Sequence, residues 1–341
     1  MTGNYRSSSF YAMGIGIETT PGTYMAPSVF LPYANGDPDL GITDSPFQGH
    51  TGYRDSNYMT TRDKVDPKFD LKMPAWPENG LEHLLYLLLG SKVSTELGSG
   101  PAYSHVMNQA NVLPTCSITK WANISGQVEP QAWEGCMVNE MKIDMPQPGL
   151  INLDVNFLTR ELDLSQTQPT QTFSGAIPFQ FGQCAMQLGT VATPGTLAPF
   201  SSATKFSLDI KNNVSAEHMM DGTLSPNLIV PGPFDVSGHI EFPYADWTEL
   251  KGYLSGSSTG TSATTTILDR ALSITATGAN IASTYNYLWS LNLPKLNMKA
   301  LKINDSDKAA IKYAFDFQGK FNGLTSNTIS STVQSKLVSI V

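Results

Sequence analysis

Positive charge is scarce in this chain of 341 residues: Lys and Arg total 21 against 29 Asp and Glu, a net charge of −8. No run of basic residues interleaved with aromatics occurs, which excludes a nucleic-acid groove driven by counterion release. An acidic wall can still enclose DNA, because it repels phosphate and avoids tight contacts. Cysteine is scarcer. Cys116, Cys136 and Cys184 form no CxxC and have no His partner at ligand spacing, so neither a zinc site nor a disulfide framework is indicated, and cytoplasmic folding fits best. Long apolar runs are missing too. The longest, Leu84 to Leu89, is far too short to span a bilayer, and the N-terminus has no apolar signal region. The expectation is a protein with no classical export signal and no membrane insertion of its own.

Constellations for chemistry are equally sparse. His50, His83, His105, His218 and His239 lie scattered, with no HxxxH or HExxH. Asp37 with Asp39, and Asp63 with Asp66, lack the remaining spacing and terminal Glu of a calcium loop. Gly14-x-Gly16 lacks the third glycine and following helix of a dinucleotide loop. Gly256-Ser257-Ser258-Thr259-Gly260 fits G-x-S-x-G formally, but a short helix enters it and a Ser/Thr-rich stretch leaves it, the reverse of a nucleophile elbow. The sequence therefore predicts no catalytic residue, no metal and no cofactor.

What the chain does have is alternation, twice. Met141 to Arg160 alternates apolar and polar residues on both sides of Pro146-Gln147-Pro148-Gly149, and Leu301 to Lys320 does so around Asn304-Asp305-Ser306-Asp307. The two align without a gap at one offset (301 − 141 = 160), and each reads as a β-hairpin. Side chains alternate across a strand, so Ile143, Ile151, Leu153, Val155 and Phe157 share a core-seeking face, as do Ile303, Ile311, Tyr313, Phe315 and Phe317. The opposite faces carry Lys142, Asp144, Asn152, Asp154 and Asn156, and Lys302, Asn304, Lys312, Asp316, Gln318 and Lys320. A lone hairpin is marginal, so each should end a larger unit.

Upstream, Met73-Pro74 followed by a helix from Leu81 and a stop at Gly90 matches Phe242-Pro243, Leu250, Leu254 and Gly256. Apolar stripes such as Leu81, Leu84, Leu85 and Leu88 are core stripes covering a sheet. Thr20-Pro21-Gly22-Thr23 echoes Thr193-Pro194-Gly195-Thr196 in the same order. The pattern is that of an internal duplication: an N-terminal arm over 1–13, a unit over 14–164, a linker over 165–172, a second unit over 173–322 and a C-terminal tail over 323–341. Residues 36–67 read as a long polar loop with a shorter counterpart at 212–233, and residues 92–115 as a connection. The tail could add a strand to a neighbour or fray.

The order Gly-Ile-Glu-Thr-Thr-Pro-Gly-Thr, early strand, long loop, strand-helix-Gly unit and hairpin preceded by Gly135-Cys136-Met137-Val138-Asn139 resembles the tail tube (major tail) proteins of long-tailed, non-contractile bacteriophages. The resemblance runs from about Gly14 to Phe321. It implies a mainly β chain of two tail-tube-type β-sandwich or split-barrel domains, each with a short flanking helix and a long β-hairpin. It further implies rings stacked into a tube, with the hairpins' polar faces on the lumen. Two such domains per chain predict a homotrimeric, pseudo-hexameric ring, with a homohexamer as the alternative. Expected partners are further copies of the chain, other tail proteins at the tube ends, a tape measure protein in the lumen and DNA in transit without sequence-specific binding. The place is the virion tail, after assembly in the host cytoplasm. The loop residues Asp44, Tyr53, Arg54, Asp55, Tyr58 and Arg62 are expected to bridge stacked rings. A capsid-decorating or receptor-binding β-protein of a virion is the alternative reading.

Overall fold

The computed structural model describes residues 11–48, 57–98, 100–122, 130–190, 197–199, 203–243, 248–257, 259–265, 269–282, 284–304 and 312–340. They are mainly β-structure. In chain order the first strands are β1 (Tyr11–Ile17), β2 (Val29–Phe30), β3 (Asn35–Asp39), β4 (Ile42–Gln48), β5 (Asn57–Val65) and β6 (Lys68–Pro74), followed by α1 (Leu81–Leu89). Then come β7 (Gly90–Glu96), β8 (Tyr103–Gln109), β9 (Cys116–Ala122), β10 (Gln131–Met145), β11 (Asn152–Leu158) and β12 (Glu161–Asp163). The chain continues through β13 (Cys184–Thr190), β14 (Ala198–Pro199), β15 (Lys205–Lys211), β16 (Ser215–Glu217), β17 (Leu228–Val230) and β18 (Asp235–Pro243). After α2 (Thr248–Ser255) it ends with β19 (Asp269–Ala282), β20 (Tyr285–Asn304), β21 (Lys312–Gly319) and β22 (Ser330–Ser335).

One antiparallel sheet runs β3-β6-β11-β10-β15-β18-β21-β20. The period-two pattern dictates its two sides. In β11, Leu153, Val155 and Phe157 are buried while Asn152, Asp154 and Asn156 alternate with them towards solvent. The strands β10 and β20 are long enough to serve two sheets. Met137–Asp144 pairs with β11, whereas the earlier part of β10 lies between β9 and β12, and β9 carries β1 and then β2 beyond it. β20 pairs with β21 through 296–304, whereas its earlier part lies between β19 and β22, with β13 and β14 beyond β19. The register slips between Val138 and Glu140 and between Met298 and Ala300, 160 positions apart (298 − 138 = 160). Such slips bend and twist a strand, which suits one that passes between sheets.

Between the sheets, most of the buried apolar residues of both halves form one contiguous cluster, including Phe69, Trp133, Val155, Phe206, Trp289 and Phe315, with two small satellite clusters beside it. α1 is buried nearly all round, as a helix rich in Leu on every side must be. It packs against β10 on one side and β7, β8 and β22 on others. Gly90 ends it at φ 95, a left-handed cap whose N–H donates to the Tyr86 carbonyl.

Several stretches differ from the sequence expectation. Residues 36–67 are not a plain loop: β3 joins the main sheet, and β4 pairs with β5 as a protruding two-stranded ribbon. The 212–233 counterpart holds the smaller β16-β17 ribbon. The connection at 92–115 contains the β7-β8 hairpin, whose outer partner is β22 from the C-terminal stretch, which lies between β20 and β8 of its own chain. At the other end, β1 begins at Tyr11, within the segment read as an arm.

A buried carboxylate ties the first half together. Glu18, just after β1, accepts hydrogen bonds from Gly22 N–H (2.8 Å) and Thr115 Oγ1 (2.7 Å) on one oxygen, and from Ser117 Oγ (2.8 Å) and Gly135 N–H (2.8 Å) on the other. Gly22 and Gly135 both hold positive φ, and a Cβ on either would meet the Arg160 side chain lying across them.

Candidate assembly surface

The polar side of the eight-stranded sheet gathers side chains that lie far apart in sequence. Lys142 stands opposite Asp154 on one flank and Asp209 on the other, and Asp144 stands opposite Asn152 and Ser207. Lys72 pairs with Asp154 at 2.9 Å, while Lys142 and Lys211 both reach Glu140 at 3.4 Å. Asn156 donates to Asp70 at 2.5 Å. In the second half His239 bridges Asp316 (2.7 Å) and Glu241 (3.2 Å). Two hollows follow this face, one lined by Asn35, Asp37, Lys72 and Asp154, the other by Lys142, Asp209, His239 and Asp316.

Electrostatically, Lys72, Lys142 and Lys211 on this face are each paired with a carboxylate. The carboxylates of Glu140 and Asp209 raise the Lys142 pKa, and a hydrogen bond to Asp154 raises that of Lys72, so both ammonium groups stay charged and committed to neighbours. Burial pushes the Asp209 carboxyl up, offset in part by Lys142. Lysines paired in this way have little capacity left for phosphate.

The hairpin residues singled out in the sequence fall as follows. Lys142, Asp144, Asn152, Asp154 and Asn156 share the polar side, and Ile143, Ile151, Leu153, Val155 and Phe157 are buried beneath it. Lys312, Asp316 and Gln318 stand opposite Pro243, His239 and Ser237 on the same polar side, and Lys302 and Asn304 occupy the register positions facing Ala314 and Lys312. Tyr313, Phe315 and Phe317 are buried, with Phe315 stacked on Phe242 at 5.5 Å. Two residues depart from the simple pattern. Lys320 lies beyond β21 and bonds Asp269 at 2.9 Å. Ile303 lies on the apolar side by register but is 48% exposed, because no strand among the described residues covers β20 there. Ile311 lies outside the described residues, as do Tyr53, Arg54, Asp55 and Ser258.

On the β4-β5 ribbon, Arg62 reaches Asp44 at 3.3 Å, and Tyr58 belongs to β5. Phe47 and Met59 face each other across the ribbon and are 58% and 50% exposed. The ribbon's base is fastened to the second half: Val65 N–H donates to the Leu224 carbonyl, and Asp66 pairs with His218 at 2.7 Å.

The sequence reads Phe206–Ile210 as a strand but does not place it against the first hairpin, where β15 sets Asp209 and Lys211 beside β10, and it reads 36–67 as loop, missing β3, which sets Asp37 and Asp39 beside β6. The alternation in Phe206-Ser207-Leu208-Asp209-Ile210 was a visible signal for β15. β3, with Gly36 and Pro38, gave none.

Among the described residues no group of His, Cys, Asp and Glu is arranged to hold a metal, and no helix is long and apolar enough to cross a membrane. What the surface offers is a charged face with several ion pairs across it, two sheet edges and an apolar-tipped ribbon, all features of assembly. No curated protein matches the chain. A family described as phage tail tube protein matches residues 12–319. With nine-tenths of its length so matched, the chain belongs to the phage tail tube protein family, a structural component of the virion tail.

Proposed function

We propose that this chain polymerises as stacked rings into the tail tube, with the polar side of the eight-stranded sheet as the wall of the channel through which DNA passes. The observation that carries this reading is the sheet itself. Its apolar side is sealed by core, its other side is charged with several ion pairs across it, and among the described residues no strand covers the outer side of β3 or of β20 over 298–304. An open-edged sheet of this length is an aggregation hazard as a monomer, and closure into a barrel removes the hazard.

The chain counts as two tube units, 14–164 and 173–322, joined by a linker at 165–172. The equal spacing of the two bulges supports duplication, and so does a pair of matching irregular bonds, Ala34 N–H to the Lys72 carbonyl and Thr204 N–H to the Glu241 carbonyl, each 2.7 Å. Each half contributes four strands, β3-β6-β11-β10 and β15-β18-β21-β20. Three chains then make a pseudo-hexameric ring; six chains are the alternative. The 36–67 stretch stacks one ring on the next, through the β4-β5 ribbon with its exposed Phe47 and Met59 and through the loop residues Asp44, Tyr53, Arg54, Asp55, Tyr58 and Arg62. Other tail proteins close the tube ends, a tape measure protein fills the lumen before ejection, and assembly takes place in the host cytoplasm.

Negative-stain electron microscopy of the concentrated protein tests the reading. Hollow tubes are expected from the unaltered chain. Phe47→Asp combined with Met59→Asp should leave rings that do not stack. Monodisperse particles without a channel, under every condition tried, would instead favour a decorating or receptor-binding role.

A further inference from the structure

The junction between the halves, β10 against β15, is a strand pair whose two members have counterparts at the open edges. β10 corresponds to β20 at an offset of 160, and β15 to β3 at an offset of 170, from the matching Ala34 and Thr204 bonds (204 − 34 = 170). Burial separates the paired from the unpaired copies. Ile143 on β10 and Ile210 on β15 are 0% exposed, whereas Ile303 is 48% exposed and Leu40, the counterpart of Ile210, is 41% exposed. Residues that the internal junction hides are thus bare at both outer edges, and each edge is complementary to the other rather than to itself.

Resting on the tube reading above, we propose that β20 of one chain pairs antiparallel with β3 and its extension in the next copy, in the register of the internal junction. The internal pairs Met141 with Ile210 and Lys142 with Asp209 become Leu301 with Leu40 and Lys302 with Asp39 of the neighbouring copy. The contact is heterologous, head to tail, and closes only as a ring.

Charge and backbone chemistry both favour this register. The Lys142–Asp209 position carries opposite charges, and so does its outer copy. Asn212 N–H donates to the Asn139 carbonyl at 2.8 Å, so the even-numbered residues of β15 turn their backbone groups towards β10. By offset, Pro38 turns its backbone to the open edge, which is therefore one donor short. A proline there blunts indiscriminate strand addition without blocking a partner that matches the rest of the ladder.

The same parity places Asp39 and Lys302 at a non-hydrogen-bonded pair, where Cβ atoms lie close enough for a disulfide. The test is oxidation of assembled Asp39→Cys/Lys302→Cys protein, followed by non-reducing electrophoresis. Covalently closed trimers are expected. Asp37→Cys/Lys302→Cys, two residues out of register, should give none, and a mixture of the two single variants should stop at dimers. Asp39→Lys should abolish rings and Asp39→Lys/Lys302→Glu should restore them. Tubes that form without cross-linking, or that cross-link equally in both registers, overturn this register while leaving the tube reading standing. Absence of any ring or tube from the unaltered chain overturns both.

Discussion

Glu18 ties three parts of the first half together through four accepted hydrogen bonds. Its four donors come from a turn, Thr115 just before β9, Ser117 on β9 and a glycine within β10, so one carboxylate holds the entry turn to both strands. Glu18→Ala would leave three buried donors and a half-buried one unanswered, at a cost of about 3 kcal/mol or more. Chemical denaturation should register this as a lowered midpoint, and an unchanged midpoint would contradict the assignment. The motif Glu-Thr-Thr-Pro-Gly-Thr shows in the sequence, but its role does not, because the donors lie up to 117 residues away.

Two neighbours on α1 have opposite pH dependences. Burial pushes the Glu82 carboxyl up to about 7, and burial lowers the His83 imidazole to about 3. For Glu82 the folded state holds the proton more tightly than the unfolded chain, whose pKa is near 4.5. Its contribution is full below pH 4.5 and is lost as pH rises through 7. For His83 the contribution is full above pH 6.5 and is lost as pH falls through 3. The stability advantage of the unaltered chain over Glu82→Gln should therefore shrink between pH 4.5 and 7, by on the order of 3 kcal/mol. A pH-independent difference would contradict the buried, protonated Glu82.

At the scale of elements, legibility follows exposure of one face and burial of the other. β10, β11 and β21 could be read because each presents a core side and a solvent side, which writes strict alternation into the chain. β4 and β5 have no core beneath them, so residues such as Thr43, Asp44, Ser45, Thr60 and Thr61 show no apolar period. β7 and β8 were hidden for another reason: their covering strand, β22, lies more than 200 residues further on, a pairing that local pattern cannot announce. β22 is nonetheless structural. Val333 is fully buried between Trp289 on β20 and His105 on β8. Val333→Asp should cost about 3 kcal/mol or more by burying an unpaired charge. Soluble yield and thermal midpoint would fall together, and a variant of normal stability would mean that the tail is dispensable.

For the whole molecule the central quantity is strand number. Each chain brings eight strands to the sheet, and in the proposed ring three chains would close a barrel of twenty-four. With strands about 4.8 Å apart and tilted by roughly 35–45°, the backbone cylinder comes to about 45–50 Å across. If this face lines the channel as proposed, Lys72, Lys142 and Lys211 already have carboxylate partners, and DNA should slide past them with little retention. Binding of duplex DNA to isolated rings should be weak and should change little between low and moderate salt, whereas a steep salt dependence would point to unpaired cationic contacts.

In the proposed ring one chain supplies two of the six lobes. The mass of the smallest closed ring, taken by native mass spectrometry on particles whose end-on views show six lobes, tests it most directly. Three chains of 36.9 kDa predict about 111 kDa (3 × 36.9). A six-lobed ring of twice that mass would contradict the duplication, since each chain would then contribute only one unit to the wall.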